Sequence, residues 1–291
     1  MTYQVLLFYK YVTIEDPKAV ADWVRIKATQ LNLTGRVIVA VEGINATLEG
    51  ALENTELFVS EFLSDSKFSD IHIKRSIGTG DTFPKLSVKV RDEIVSTRLK
   101  LEEADPRIQT ATHLSPDDLH SWFESGKEFA IVDMRNSYEF ESGHFKNSID
   151  PGMRASRDLP NVVSKLEPLK EKTVVTVCTG GVRCEKMSAF LLHKGFTNVY
   201  QLDGGIHSYM EKYPGKDFLG GLYTFDQRVM MNFGGDREII GRCRFCGNQS
   251  EEYVNCADPE CHLHFIACGT CVNGQSKYCS EKCEQSHKIK V

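Results

Sequence analysis

Val174-Val175-Thr176-Val177-Cys178-Thr179-Gly180-Gly181-Val182-Arg183-Cys184-Glu185-Lys186 passes from an apolar, β-prone run through a short glycine-rich loop into a helical pattern. Four residues, Thr179, Gly180, Gly181 and Val182, separate Cys178 from Arg183. A strand, tight loop and helix in this order aim successive backbone N–H groups at the cysteine sulfur. They also place it beside a helix N-terminus, where negative charge is favoured. Such a thiol ionises easily and acts as a nucleophile, so the spacing predicts an anionic, accessible sulfur. The plainer reading is a small buried thiol capping a strand, since free cysteine is among the most buried residues. Two glycines and an arginine directly beyond it argue for the nucleophile.

The flanking sequence predicts a parallel α/β sheet. Ser115-Pro116 reads as an N-cap followed by proline in the first turn, with Asp118 three residues on. Phe129 to Met134 is a buried strand, and a short helix begins at Tyr138-Glu139-Phe140. Val162 to Leu169 is amphipathic, Glu185 to His193 is the helix after the loop, and Val199 to Leu202 is a further strand before Asp203-Gly204-Gly205. Strands alternating with helices at this spacing put ligands at the carboxyl ends of the strands, where Cys178 falls.

Residues 1–94 carry a different order. Strands are expected at Gln4 to Tyr9, Arg36 to Val41, Asn45 to Leu48, Asp70 to Ser76 and Lys85 to Val90. One helix starts at Asp16-Pro17 and carries Val20, Trp23, Val24 and Leu31; a second carries Leu52, Leu57, Phe58, Phe62 and Leu63. This β-α-β-β-α-β succession predicts a ferredoxin-like (acylphosphatase-like) α+β domain. A charged stretch with little periodicity, 95–112, reads as a linker touching both neighbours. The α/β domain then spans 113–220, and an extension covers 221–291.

The extension holds eight of the chain's ten cysteines, in a compact cysteine-rich tail over about 242–288. The pairs are Cys243 with Cys246, Cys256 with Cys261, Cys268 with Cys271 and Cys279 with Cys283. Paired thiols on an otherwise thiol-poor chain predict metal ligands in a reducing cytoplasm rather than disulfides. Eight thiolates suit two closed, structural zinc ions, and four successive pairs permit an interleaved pairing that spacing alone does not fix. His262 and His264 are read as neighbours of the ligands that could replace Cys256 or Cys261. A net charge of −5 over 291 residues argues against a basic coat, although a local basic face remains compatible with RNA. No apolar run is long enough to cross a bilayer and no export signal is legible at Met1 to Phe8, so a cytoplasmic protein is expected.

Four blocks of sequence resemble rhodanese-like sulfurtransferase domains. They are Ile131 to Arg135, Tyr138 to Phe145, the Cys178 to Arg183 loop, and Gly195-Phe196 with Tyr200 to Ile206. In that family the first loop cysteine accepts a sulfane sulfur as a persulfide, which by position is Cys178. Asp133 and Arg135 match the pair that braces the sheet, His144 matches a position that orders the preceding turn, and Arg183 is expected to bond loop carbonyls. Cys184 either resolves a species on Cys178 or simply packs. Cysteine phosphatases usually carry five residues between cysteine and arginine, so the four found here disfavour that rival.

The resemblance extends further. Glu42-Gly43-Ile44-Asn45, Lys85 to Arg91, Glu93-Ile94-Val95, Arg157-Asp158-Leu159-Pro160 and Phe225-Asp226-Gln227-Arg228 are similar to the rhodanese-domain tRNA uridine hydroxylase (TrhO) family, whose loop run also includes the second cysteine. What this implies is an oxidoreductase that places a hydroxyl on C5 of wobble uridine 34 with molecular oxygen as co-substrate. Its partners would be the tRNA anticodon loop and a reductant or sulfur-donor protein. A plain sulfurtransferase passing a Cys178 persulfide to an acceptor explains the loop equally well, and a binding scaffold recruited through the tail is the third reading. No flavin or NAD fingerprint is present. Ala46 departs from the family's usual glycine, which would strain the turn if the backbone there had positive φ. Candidate RNA contacts are Lys74, Arg75, Lys85, Lys89, Arg91, Arg98 and Lys100, with Lys85, Ser87, Lys89 and Arg91 alternating onto one strand face. Oligomeric state is not legible.

Overall fold

The computed structural model describes residues 2–234, 237–274 and 277–290. Its N-terminal part is built from β1 (Tyr3–Tyr11), α1 (Pro17–Gln30), β2 (Thr34–Ala40), β3 (Gly43–Ala51), α2 (Leu52–Phe62), β4 (Lys74–Gly78) and β5 (Leu86–Val90). Asp16 caps α1 by accepting the Ala19 N–H at 2.9 Å, and Pro17 occupies the first turn, where its missing donor costs nothing. The strands assemble in the order β4-β1-β3-β2-β5, with β5 parallel to β2 and the other pairs antiparallel. Alternation sends Phe8, Val37, Val39, Ala46 and Leu48 into a core beneath both helices. Ala46 thus sits in a regular strand, with no positive φ, and its methyl fills core space instead of straining a turn. β4 starts at Lys74 rather than Asp70, because the preceding residues are wound into turns that bury Phe68, Ile71 and Ile73.

The opposite face of this sheet is the one that matters for the site. Cross-strand partners share a face, so Leu7, Thr47, Arg36 and Ser87 form one row, and Tyr9, Asn45, Ile38 and Lys89 the next.

The second part contains β6 (Thr112–Leu114), α3 (Pro116–Ser125), β7 (Ala130–Asp133), α4 (Ser137–Ser142), β8 (Gly143–Phe145), α5 (Leu159–Val162), β9 (Thr173–Val177), α6 (Val182–His193), β10 (Asn198–Leu202) and α7 (Gly205–Lys212). The sheet order is β6-β10-β9-β7, all parallel. Ser115 accepts the Asp118 N–H at 3.1 Å to cap α3, and Gly126 ends it in the left-handed conformation. The amphipathic run 162–169 is not one helix: a single α turn gives way to a 3₁₀ segment containing Pro168. The 95–112 stretch is packed, not loose. Leu99, Ala104 and Ala111 enter the core of the second part, and Arg107 reaches Thr13 at 3.2 Å.

Further along lie β11 (Phe218–Gly220), β12 (Leu222–Tyr223), β13 (Met230–Met231), β14 (Tyr253–Asn255), β15 (His264–Ile266), α8 (Gly269–Gly274) and α9 (Glu281–Lys290). Tyr253 and His264 pack on Tyr138 and Tyr223, and the Tyr253 hydroxyl donates to the Tyr138 carbonyl at 2.5 Å, clamping the tail onto α4. Arg228 donates to Ser76 and to the Ile77 carbonyl, while the Gln227 N–H reaches the Thr82 carbonyl. Among the described residues no helix is long and apolar enough to cross a membrane.

Candidate active site at the Cys178 loop

Cys178 follows β9 directly, and the loop to α6 has its carbonyls tied outward one after another. The Cys178 and Thr179 carbonyls accept the Ile206 and His207 N–H groups at 2.9 and 3.0 Å. The Gly180 carbonyl accepts the Lys74 ammonium at 2.9 Å, and the Val182 carbonyl accepts the Tyr11 hydroxyl at 3.2 Å. With the oxygens turned out, an amide can face in, and the Gly181 N–H meets the Cys178 sulfur at 3.2 Å. Gly181 has φ of +103°, and a Cβ there would lie 2.7 Å from the Tyr9 hydroxyl oxygen. Gly205 lets α7 approach this closely, since a Cβ there would stand 2.5 Å from the Cys178 carbonyl oxygen.

Arg183 does not bond loop carbonyls as expected. Its guanidinium makes a two-pronged pair with Glu139 at 2.6 and 2.9 Å and also donates to the Thr179 hydroxyl at 3.0 Å. Glu139 is fully buried, and its carboxylate also accepts the Asn136 N–H at 3.0 Å. The capping-box spacing of Asn136 and Glu139 hinted at an ordered carboxylate, though not at its partner. Asp133 and Arg135 are buried together at 2.7 Å, with Arg135 also donating to the Gly143 carbonyl. His144 stacks on Phe140 with centroids 3.9 Å apart and holds its carbonyl at 2.8 Å, fixing the turn after α4.

Burial pushes the Cys178 pKa up, but the Cys184 thiol hydrogen bond, the Arg183 charge and the Gly181 amide outweigh it and bring it down to about 6. Cys184 moves the other way, because burial and the neighbouring anionic sulfur both disfavour a second thiolate. Of the two thiols, Cys178 is therefore the one that ionises more readily.

Accessibility is the correction. Cys178 has 0% exposure, because β1 and the start of β4 lie across the loop. Leu7 packs on Gly180, Tyr9 donates to Glu185 at 3.1 Å, and Lys74 is itself buried. What opens to solvent is a cleft of about 430 Å³ just above, between the free sheet face and the loop, lined by Tyr9, Asn45, Thr179, Gly180, Arg183 and Phe225 among others. A small alkylating reagent should therefore modify Cys178 slowly, with a rate that rises through a midpoint near pH 6. Peptide mapping of the alkylated protein against pH checks this, and a midpoint above pH 8 would remove the anionic sulfur.

The expected RNA contacts divide. Lys74 is on the loop, and Arg75 pairs with Glu56 at 2.8 Å. Lys89 shares the free sheet face, with Lys85 and Arg91 exposed just outside β5 on the same alternation, beyond the cleft lining. Arg98 lies in a separate depression with Glu42 and Glu93, and Lys100 pairs with Glu102 at 3.7 Å, so neither borders the cleft. Glu42 is buried and pairs with Lys186 of α6 at 2.8 Å. Arg36 and the covering tyrosines went unseen, since nothing local in their sequence marks them.

The tail cysteines close into two groups, Cys243, Cys246, Cys268 and Cys271, and Cys256, Cys261, Cys279 and Cys283. This is the interleaved pairing. Sulfur–sulfur separations of 3.7 Å (Cys246 to Cys268) and 3.6 Å (Cys261 to Cys279, Cys279 to Cys283) can be compared with a tetrahedron. Four thiolates at a zinc–sulfur distance of about 2.3 Å have edges of roughly 3.8 Å, so the donor set fits a closed metal site. His262 and His264 are in neither group; His264 stacks on Tyr253 and donates to Asn255 at 2.9 Å.

Family models match this layout in three consecutive blocks: "UPF0176 acylphosphatase like domain" over residues 3–94, "Rhodanese-like domain" over 115–212 and "Rhodanase C-terminal" over 219–284. The chain is 41% identical over 290 residues to the tRNA uridine(34) hydroxylase of Corynebacterium kroppenstedtii, covering 97% of both proteins. It is 39% identical to that of Cytophaga hutchinsonii over 97% of this chain and 90% of the relative. To that of Staphylococcus aureus MSSA476 it is 39% identical over 99% of this chain and 91% of the relative. With the loop, the capping sheet and the thiol-rich tail all inside those alignments, the chain belongs to the tRNA uridine(34) hydroxylase family.

Proposed function

We propose that this protein hydroxylates C5 of uridine 34 in tRNA, with Cys178 as the essential residue and dioxygen as the oxygen source. Full-length similarity to proteins of that name carries the reading, and the placement of the loop beneath an RNA-sized cleft supports it. Replacing the C5 hydrogen by hydroxyl oxidises the uridine by two electrons. When dioxygen supplies the oxygen, its second atom leaves as water only with two more electrons and two protons from a separate reductant or sulfur-donor protein. Within the site, the amide ring and Arg183 would hold an anionic sulfur or persulfide at Cys178, and Cys184 would hold the proton. Thr179, Gly180, Gly181 and Val182 would supply the loop backbone, with Asp133, Arg135 and His144 keeping its surroundings rigid. An anticodon base is already unpaired, so turning it into the cleft costs little. A plain sulfurtransferase would leave the capping N-terminal sheet without a task.

Bulk tRNA from cells lacking this protein is expected to lose 5-hydroxyuridine and its derivatives at position 34. Unchanged levels in cells with no second hydroxylating route would overturn the assignment.

The tail would bind two structural zinc ions, and the domain division would run 1–94, 95–112, 113–220 and 221–291. The tail's core is small and largely cysteine, so the metal must carry its stability. Zinc analysis should give about two ions per chain by the donor count. Chelation should make the chain after Arg242 protease-sensitive while the first two domains stay intact. Resistance of the metal-free tail to protease would refute a structural metal.

A further inference from the structure

The cleft over the Cys178 loop does not end there. A larger groove of about 910 Å³ continues from it, and Arg36, Asn136, Ala155, Arg157 and Phe225 border both. Its walls come from all three parts of the chain: Thr82 to Pro84, the Arg154 to Asp158 turn, and Asn255 with Leu263 and His264 of the tail. Three acids line it, Asp158, Asp226 and Glu260, and the first two are occupied within its walls. Asp158 accepts the Arg154 and Ala155 N–H groups at 3.0 Å, and Asp226 pairs with Arg228 at 2.6 Å. Arg36 and Arg157 have no ion-pair or hydrogen-bond partner among the described residues, yet both stand where the two spaces join. Phe225 is 45% exposed at the same junction, with the Arg183 guanidinium over its ring at 5.5 Å.

We propose that this groove binds the nucleotides flanking the target uridine as single-stranded RNA, with Arg36 and Arg157 on phosphates and Phe225 stacked on a base. The inference rests on the hydroxylase reading above and gives the metal-binding tail a task, as one wall of the RNA site. Unpaired guanidiniums at a bend suit a backbone that must turn as one base is splayed out. An exposed aromatic supported by a cation suits a stacking platform. The two-chambered shape fits a strand passing through better than one compact small molecule.

The test uses the full-length protein and a synthetic anticodon stem-loop RNA, with binding followed by fluorescence anisotropy from low to moderate salt. Each lost single-strand phosphate contact removes about 0.7 from the slope of log affinity against log salt. The Arg36→Gln/Arg157→Gln variant should bind at least about tenfold more weakly with a slope flatter by roughly 1.4. Phe225→Ala should weaken binding about tenfold with the slope unchanged, and Phe225→Trp should restore it. Binding of the double variant within twofold of the parent, at unchanged slope, overturns the groove, as would an effect confined to coupling with a protein reductant. Hydroxylation that persists in Cys178→Ser would instead sink the assignment of activity and leave the groove standing.

A separate observation concerns Lys74. The Gly180 carbonyl and the Gly181 N–H belong to one peptide unit, so holding the oxygen outward turns the amide toward the sulfur. The geometry points to Lys74 as a positioning residue by which the N-terminal sheet sets the orientation of the reactive loop. Lys74→Met, which keeps the stem, should raise the midpoint of Cys178 alkylation and lower kcat while leaving RNA affinity unchanged. Lys74→Arg should restore part of both. An unaltered midpoint and kcat in Lys74→Met would refute the role.

Discussion

Cys178→Ser is expected to leave tRNA without detectable 5-hydroxyuridine while the protein keeps its fold and its affinity for RNA. A serine hydroxyl stays protonated at neutral pH and takes up no sulfane sulfur, so the amides and Arg183 would surround a neutral, unreactive group. Nucleoside mass spectrometry of tRNA from cells carrying only the variant measures the loss, expected to reach background. Full retention of the modification would refute the role of the residue. Cys184 sharpens the result. Its thiol is the strongest influence holding the Cys178 pKa down, and a hydrogen bond to a charged group is worth about 1.5–3 kcal/mol. Cys184→Ala should then move the Cys178 midpoint up by about one to two pH units, and Cys184→Ser, which can still donate, should move it less. Were Cys184 a resolving thiol instead, both variants would stop turnover after one cycle.

Glu139→Gln is expected to produce the largest loss of stability in the catalytic part. The carboxylate is wholly buried against an Arg183 side chain with 9% exposure, so neutralising it removes the guanidinium's two-pronged partner and leaves only the Cys178 sulfur and the more distant Asp133 to offset a buried charge. Breaking one partner of such a pair costs about 3–5 kcal/mol, whereas replacing both with apolar groups of similar volume is often neutral. Thermal and urea unfolding should show the single variant strongly destabilised and Glu139→Gln/Arg183→Met largely recovered in stability, though inactive. A single variant within about 1 kcal/mol of the parent would mean that water reaches the pair.

These two sites differ in how far they could be read in advance. Cys178, its loop and the following helix are contiguous, and local chemistry supplies the whole signal: apolar strand, glycines, arginine. The same holds for the Asp16 and Ser115 caps and for the close cysteine pairs. Glu139 is 44 residues from Arg183, and Tyr11 is 171 from Val182. No periodicity connects such positions, and a lysine such as Lys74 looks from sequence like any exposed basic residue. The RNA contacts expected on and beside β5 show the limit well. Alternation gave their shared face correctly, but not that the cleft would lie further in, beside Arg36.

By itself the amino-acid order determined the domain types, the strand-loop-helix around Cys178 and the close cysteine pairs, because each depends on spacings of a few residues that fix backbone geometry or side-chain reach. Tertiary structure alone decided that the sulfur is covered, which carboxylate faces Arg183 and which cysteine pairs come together. Those outcomes follow from packing three parts of the chain together, where buried charge must find a partner and each partner comes from a distant part of the chain.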